Sequence, residues 1–554
     1  MDKIWLKSYP PGVPAEVDPA QLRTLKELIE KTCARHAQRV AFVQMGAKLS
    51  YQQLDELSKG FAAWLQHEGF VKGDRIAIML PNTLQYPIAL FGALRAGLVV
   101  VNTNPLYTAT ELEYQLSDSG ATAILVLENF AQVVQEVLPR TKVRRVLVTS
   151  AGEYLNFPKS AIVNYVVRHV RKQVPAWNIP EAVNFKSAVR AGAKLPLTPV
   201  DVDSEDLAFL QYTGGTTGVA KGAMLSHGNV SVNVLQAAAW VGKAFEEPGV
   251  LITAIPLYHI FALSGNCMTY AHLGWTNVLI INPRDLPAML GEMKKHPPNY
   301  FSGVNTLFNA LLHAPAFAEI DFSGLKVTLG GGMAVQRTVA ERWKQATGCV
   351  LTQAWGLTET SPAACINPDH IEFNGSIGLP ISSTEVAIKN DAGQDLEVGQ
   401  LGEICVRGPQ VMKGYWNRPD ETAKVMLPGG WLRTGDIGRM DDKGFVFIED
   451  RKKDMILVSG FNVYPNEVEA AAVTHPGILE AAAVAQPDEH SGEVVALFVV
   501  RKDPALTEQS VIDHARKSLA GYKVPKHVYF RTELPKSNVG KILRKALREA
   551  LVER

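Results

Sequence analysis

From Tyr212 to Gly222 the chain reads Y-T-G-G-T-T-G-V-A-K-G, directly after the apolar run Leu207-Ala208-Phe209-Leu210. Four glycines, three threonines and one lysine within eleven residues suit a polyphosphate. Glycine lets backbone N–H groups come close to a ligand, threonine hydroxyls add donors, and lysine brings a mobile cation. The pattern is not a Walker A loop, in which Gly-Lys precedes Ser or Thr, because Lys221 is followed by Gly222. The plain alternative is a flexible surface loop of the same composition.

Other clusters follow: P-L-Y-H-I-F at 256–261, Gly330-Gly331-Gly332, W-G-L-T-E-T at 355–360, T-G-D at 434–436, D-R-K-K-D at 450–454, S-G-F-N at 459–462 and P-K-S-N-V-G-K at 535–541. Read singly, each has an ordinary explanation. A glycine triplet is often a turn, and Glu359 alone reads as a helix cap or surface acid. Trp355 alone reads as core, Asp450 and Asp454 as ion-pair partners, His259 as a satisfied core histidine, and Lys541 as a solvated lysine in a basic tail.

Taken together and in this order, the motifs resemble the adenylate-forming superfamily of acyl-CoA synthetases, luciferases and peptide-synthetase adenylation domains. The resemblance runs from about residue 25 to 550, with the greatest likeness to the bacterial long-chain fatty-acid–CoA ligases. It implies a two-step reaction. A fatty carboxylate attacks the α-phosphorus of ATP and releases pyrophosphate, and the CoA thiol then takes the acyl group from the adenylate as AMP departs. ATP supplies the activation, so no cysteine or serine nucleophile is required. The first step brings an anion to a polyanion, so charge neutralisation and positioning should dominate catalysis.

The resemblance also implies roles. Thr213, Gly214, Gly215, Thr216, Thr217, Gly218 and Lys221 would hold the ATP phosphates. Glu359 would bind Mg²⁺ with Thr213, since a carboxylate beside phosphate oxygens suits that ion. Trp355, where relatives carry a smaller aromatic, would stack on adenine, with Gly331, Gly332, Gly356 and Thr358 around the nucleotide and acyl pocket. Asp436 would take the ribose hydroxyls, assisted by Arg451. Lys541 would neutralise charge at the α-phosphate, and His259 would stand near the carboxylate and pantetheine. A rotation about Lys453 would exchange Lys541 for the loop around Gly460. Glycine at 356 would leave room for a long chain, Leu263 replaces a gating tryptophan of some relatives, and residues 302–312 would form a pocket wall. A homodimer is implied at family level. The rival readings are an adenylate-former for an aryl or medium-chain acid, one that delivers to a carrier protein, and a non-catalytic acyl- or nucleotide-binding protein.

These residues need a scaffold. Leu25, Leu28, Ile29, Thr32 and Cys33 recur at helical spacing, and Ser50 with Gln53 reads as a capping box opening a helix through Leu54, Leu57, Phe61 and Trp64. Strands are predicted at 75–80, 99–101, 123–126 and 146–149, alternating with helices, and a second alternating series covers about 205–380. The fold class is α/β: two doubly wound subdomains, a small β-barrel-like subdomain over about 383–450, and a smaller mobile α+β domain. The divisions are 1–450 for ATP and acyl binding, 451–454 for the hinge and 455–554 for the mobile domain.

Composition narrows the function classes. Charged residues are 20% and hydrophobic ones 47%, with a net charge of +1, so disorder and bulk attraction to nucleic acid are both disfavoured. Five scattered cysteines without C-x-x-C spacing fit reduced thiols in the cytosol. The opening residues lack the apolar core of a signal peptide, and the expectation is a cytoplasmic protein. Residues 505–554 carry 11 Lys/Arg against 5 Asp/Glu, either a solvated tail or an attraction for a polyanion such as CoA. Between Pro158 and Pro175, six β-branched residues share a helical face beside Arg168, Arg171 and Lys172. That helix either docks on the protein's own core or lies on anionic lipid at the inner membrane.

Overall fold

In the computed structural model, residues 3–213, 220–241, 244–245, 247–488, 490–537 and 540–552 are described. Two large sheets carry the first two-thirds of the chain. The strand Ala123–Leu127 is buried at every position, as expected where helices cover both faces of a parallel sheet. It lies in a seven-stranded sheet with Arg75–Met79, Val99–Asn102 and Arg145–Thr149 at its centre, closed at one edge by Leu207–Thr213 and Lys221–Ser226. All its ladders are parallel except that last hairpin.

The second sheet has nine strands. Its parallel centre runs through 276–279, 250–253, 300–303, 327–330 and 351–356. The N-terminal hairpin 40–50 joins one edge, with Phe42 opposite Asn277 and Val43 opposite Val278, a long-range pairing that local patterning does not announce.

Local signals hold where they were strong. Thr24 caps Leu25–His36 by accepting from Glu27 N, and Ser50 and Gln53 form the reciprocal capping box at the start of Tyr51–His67. Both helices bury an apolar stripe against the first sheet's helical layer, each fully buried leucine stabilising by about 1.5–3 kcal/mol. The β-rich region forms a five-stranded antiparallel sheet from Glu385–Lys389 to Val446–Arg451. A further five-stranded sheet with helices Pro465–Ala472, Glu508–Ala515 and Arg544–Val552 makes the α+β C-terminal part.

The basic amphipathic segment docks on the core in part: Val163, Val166, Val167 and Val174 of its apolar face are half-buried, while Ile162 and Val170 are exposed. It is an α-helix over Lys159–Tyr165 continued by a π-turn over Val166–Val170. Val163 packs on the core, but Phe157, Ile162, Tyr165 and Val170 are 86, 57, 62 and 64% exposed. No helix among the described residues is long and apolar enough to cross a membrane.

Candidate active site

A cavity of about 380 Å³ collects most of the residues singled out by sequence. Thr213 and Lys221 line it as facing members of the edge hairpin. The antiparallel strands Leu207–Thr213 and Lys221–Ser226 flank the loop expected to hold phosphate. Gly214, Gly215, Thr216, Thr217 and Gly218 lie outside the described residues. Lys221 Nζ stands 2.8 Å from Glu421 Oε2 and 4.7 Å from the centroid of the Tyr415 ring.

The run 412–416 extends this edge. Met224 N donates to Gly414 O at 2.9 Å, and Trp416 N donates to Gly222 O at 2.8 Å. The same run clamps the turn Thr358–Thr360, because Met412 N donates to Glu359 O at 2.8 Å. The Tyr415 hydroxyl donates to Glu359 Oε1 at 2.7 Å. Burial, and then Glu359, hold that phenol protonated far above its usual range. Tyr415 went unrecognised in the sequence because nothing in spacing ties it to a carboxylate 56 residues away.

Trp355 ends the strand Leu351–Gly356, and its indole N–H donates to Asp436 Oδ2 at 2.9 Å. The other oxygen of Asp436 pairs with Arg451 Nε at 3.0 Å, across the ladder that sets Asp436 opposite Arg451. Asp436 is buried just behind the wall formed by Trp355, Arg451 and Thr434. Gly356 has a backbone reason for being glycine: an added Cβ would lie 1.7 Å from the Pro362 carbonyl oxygen. Gly356 also lines the cavity.

His259 is fixed from two sides. Gln211 Nε2 donates to Tyr258 O at 2.7 Å, and Asn82 Oδ1 accepts from Leu257 N at 2.7 Å. Its Nδ1 accepts from Phe261 N at 3.3 Å, which leaves the proton of the neutral ring on Nε2. Burial pushes its pKa down to about 3, and Lys541 adds to that, so the ring is a neutral hydrogen-bond donor. Beyond it, Phe261–Met268 winds as a π-helix, a form favoured at functional sites. Asn266 pins that helix by accepting from Ser302 Oγ at 2.9 Å and, through its carbonyl, from Asn277 Nδ2 at 3.1 Å.

The apolar arm of the cavity is lined by Phe261, Gly265, Thr269, Tyr270 and Tyr300, with Ala237 and Val241 opposite. Leu263, which replaces the gating tryptophan of some relatives, is fully buried and does not line this arm. One expectation about the arm fails: no residue of 302–312 lines it. Phe308 and Leu311 face the neighbouring core instead.

The C-terminal part reaches in. Ser537 N donates to Lys541 O at 2.7 Å, and Lys541 N donates to Ser537 Oγ at 3.1 Å, so the two residues hold each other. Thr306 Oγ1 donates to Gly540 O at 3.2 Å. Lys541 Cε lies 3.4 Å from where a Cβ on Gly332 would stand, and a Cβ on Gly331 would stand 3.1 Å from the Phe261 ring. Loss of water lowers the Lys541 pKa to about 8; Arg451 pushes the same way, while Asp436 and Glu359 oppose it. Of the described site residues, Asp436 and Gly460 do not line the cavity. Asp436 is buried against Trp355 and Arg451, which do, whereas Gly460 turns Ile456–Val458 into Phe461–Val463, with nothing within 4 Å of an added Cβ.

Among the described residues, four cations (Lys221, Arg451, Lys453 and Lys541) and a single carboxylate, Glu359, therefore face a cavity with an apolar arm. This is a site for a polyanion joined to something greasy. Residues 29–416 match the family of AMP-binding enzymes, and 467–541 match its C-terminal domain. The chain belongs to the AMP-binding enzyme family. It is 52% identical to a long-chain-fatty-acid–CoA ligase of Salmonella typhi over 99% of this chain and 98% of that one. It is also 52% identical to a long-chain-fatty-acid–CoA ligase of Yersinia pestis, over 100% and 99% of the two chains. The fold matches a crystal structure of an anthranilate CoA ligase in complex with anthranoyl-AMP, with a TM-score of 0.86 and 23% identity over 97% of this chain and 99% of that one.

Proposed function

We propose that this enzyme is a long-chain fatty-acid–CoA ligase that activates its acid as the adenylate at the cost of ATP and passes the acyl group to CoA. The observation that carries the reading is the single cavity in which four cations and Glu359 face the nucleotide end and Phe261, Thr269, Tyr270 and Tyr300 line an apolar arm. The geometry divides the labour. Thr213 and Lys221 take the outer phosphates, and Trp355 with the backbone at Gly331 and Gly332 frames the adenosine. Asp436, oriented by Arg451, offers its remaining lone pairs to the ribose. Lys541 faces the α-phosphate and the attacking carboxylate, where an ammonium offsets the repulsion of like charges. His259 offers Nε2–H to the carboxylate oxygen.

Magnesium fits this site. No group of three or more His, Cys, Asp or Glu gathers among the described residues, and a magnesium ion riding on phosphate oxygens needs only one or two carboxylates. Glu359 supplies one, with the Thr213 hydroxyl beside it, and the bound ion would neutralise phosphate charge.

The residues from 451 to 454 serve as a hinge between a body of residues 1–450 and a C-terminal domain of 455–554. Lys541 occupies the cavity while Gly460, on the same domain, stands away from it. Both cannot serve at once, which supports an adenylate-forming arrangement followed by rotation for thioester formation. The reading also places the enzyme in the cytoplasm with peripheral contact to the inner membrane, where a lipid substrate is met; the exposed apolar side chains near residues 157–170 support it.

The test is AMP release over saturated acids of graded length, with and without CoA. Turnover should rise for long chains and require CoA for completion. A preference for aryl or medium-chain acids, or for a carrier protein over CoA, would replace this reading.

A further inference from the structure

Lys221, the phosphate cation of the reading above, already has its charge committed. Its Nζ lies 2.8 Å from Glu421 Oε2, with the two side chains 25 and 32% exposed. Glu421 sits in the first turn of the short helix Pro419–Val425 and also pairs with Lys424. No step of the proposed reaction uses it. Beneath Lys221, the Tyr415 ring presents its π face at 4.7 Å, and its hydroxyl reaches Glu359 at 2.7 Å. One aromatic ring thus spans the gap between the phosphate cation and the metal-side carboxylate. A phosphate oxygen approaching Lys221 must compete with the Glu421 carboxylate for the same ammonium.

We infer that Glu421 is a stand-in for phosphate: it holds Lys221 at the cavity wall, yields it to the incoming triphosphate, and recaptures it as pyrophosphate leaves. Tyr415 is the positioning residue that fixes the spacing of Lys221 and Glu359. The inference rests on the proposed adenylation reading and adds an exit device for its first product. Physical chemistry supports the exchange. The pair is partly exposed, and such pairs bias an equilibrium only a few-fold, so a multiply charged phosphate displaces Glu421 easily. The returning carboxylate then lowers the cost of leaving an ammonium unpaired.

The sign of the effect separates this role from mere support. If Glu421 only kept Lys221 in place, its removal would weaken phosphate binding. As a competitor, its removal must strengthen binding. Calorimetric titration of the full chain with inorganic pyrophosphate, once with Mg²⁺ and once with EDTA, tests this. Glu421→Gln should tighten pyrophosphate binding about three- to fivefold and deepen product inhibition by pyrophosphate. Lys221→Met should weaken binding and erase the effect of Glu421→Gln when the two are combined. Tyr415→Phe keeps the ring under Lys221, so it should weaken binding with Mg²⁺ but leave binding in EDTA unchanged. Unchanged or weaker binding by Glu421→Gln, with normal binding by the parent, overturns this inference and leaves the adenylation reading standing. A parent chain that binds no pyrophosphate overturns both.

Discussion

Lys541 shows how much one side chain can be asked to do when it arrives on a separate domain. Its backbone is held by its own Ser537 contacts, and its side chain lines the cavity. In Lys541→Ala, adenylate formation from acid and ATP should fall by about 10²–10³, the usual cost of removing one preorganised charge partner. Thioester formation from supplied acyl-adenylate should be largely spared, and single-turnover assays of the two half-reactions decide it; equal losses would remove the assigned role. Residues carrying a motif of their own, such as Lys541, Glu359 and Lys221, were legible because their neighbours are chemically odd. Tyr415 and Glu421 were not, since an aromatic and an acid on a surface helix are the commonest things in a protein. Gly356 carries a second constraint that the sequence did not show: its missing side chain makes way for the Pro362 carbonyl.

Elements were readable where the signal is local and hidden where it is a pairing. The cap at Ser50, the helical spacing from Leu25 and buried runs such as Ala123–Leu127 follow from neighbouring residues. The N-terminal hairpin owes its place to a distant ladder with Thr276–Leu279. A second long-range joint makes a prediction. His227, at the start of the helix His227–Val241, is 1% exposed, and its Nδ1 accepts from Leu25 N at 3.2 Å. Burial lowers its pKa to about 4; Asp206 pulls it upward and Lys72 opposes that. An unfolded histidine takes its proton near 6.5. Between those values the unfolded chain binds a proton that the folded one refuses. This stabilisation is therefore complete above about 6.5 and is lost as pH falls toward 4, by about 3 kcal/mol in total. Denaturant midpoints from pH 7 to 4.5 should fall more steeply for the parent than for His227→Gln, whose amide oxygen keeps the acceptor. Parallel slopes would show that this joint does not carry the pH response.

At the scale of the molecule, alternation of strands and helices announces two layered sheets, but not that their shared edge would become a charged cavity closed by a third body. That arrangement needs contacts such as Thr306 with Gly540, 234 residues apart. The same scale resolves the segment near residues 157–172. Arg168 is tied to Glu128 at 2.7 Å, so it anchors the segment to the body and is not free for lipid. Arg171 and Lys172 are exposed beside the uncovered Phe157, Ile162 and Val170. Apolar side chains flanked by free cations suit an anionic bilayer, into which each buried side chain adds favourable transfer and each cation about 1 kcal/mol of attraction. Phe157→Ser with Ile162→Ser, and separately Arg171→Glu with Lys172→Glu, should each reduce flotation with phosphatidylglycerol vesicles while leaving turnover of detergent-dispersed acid intact. The charge-reversed variant should lose its remaining sensitivity to salt, because screening acts only on the electrostatic part. Equal flotation of all three proteins would mean that this surface meets no membrane, and that the lipid substrate reaches the cavity without it.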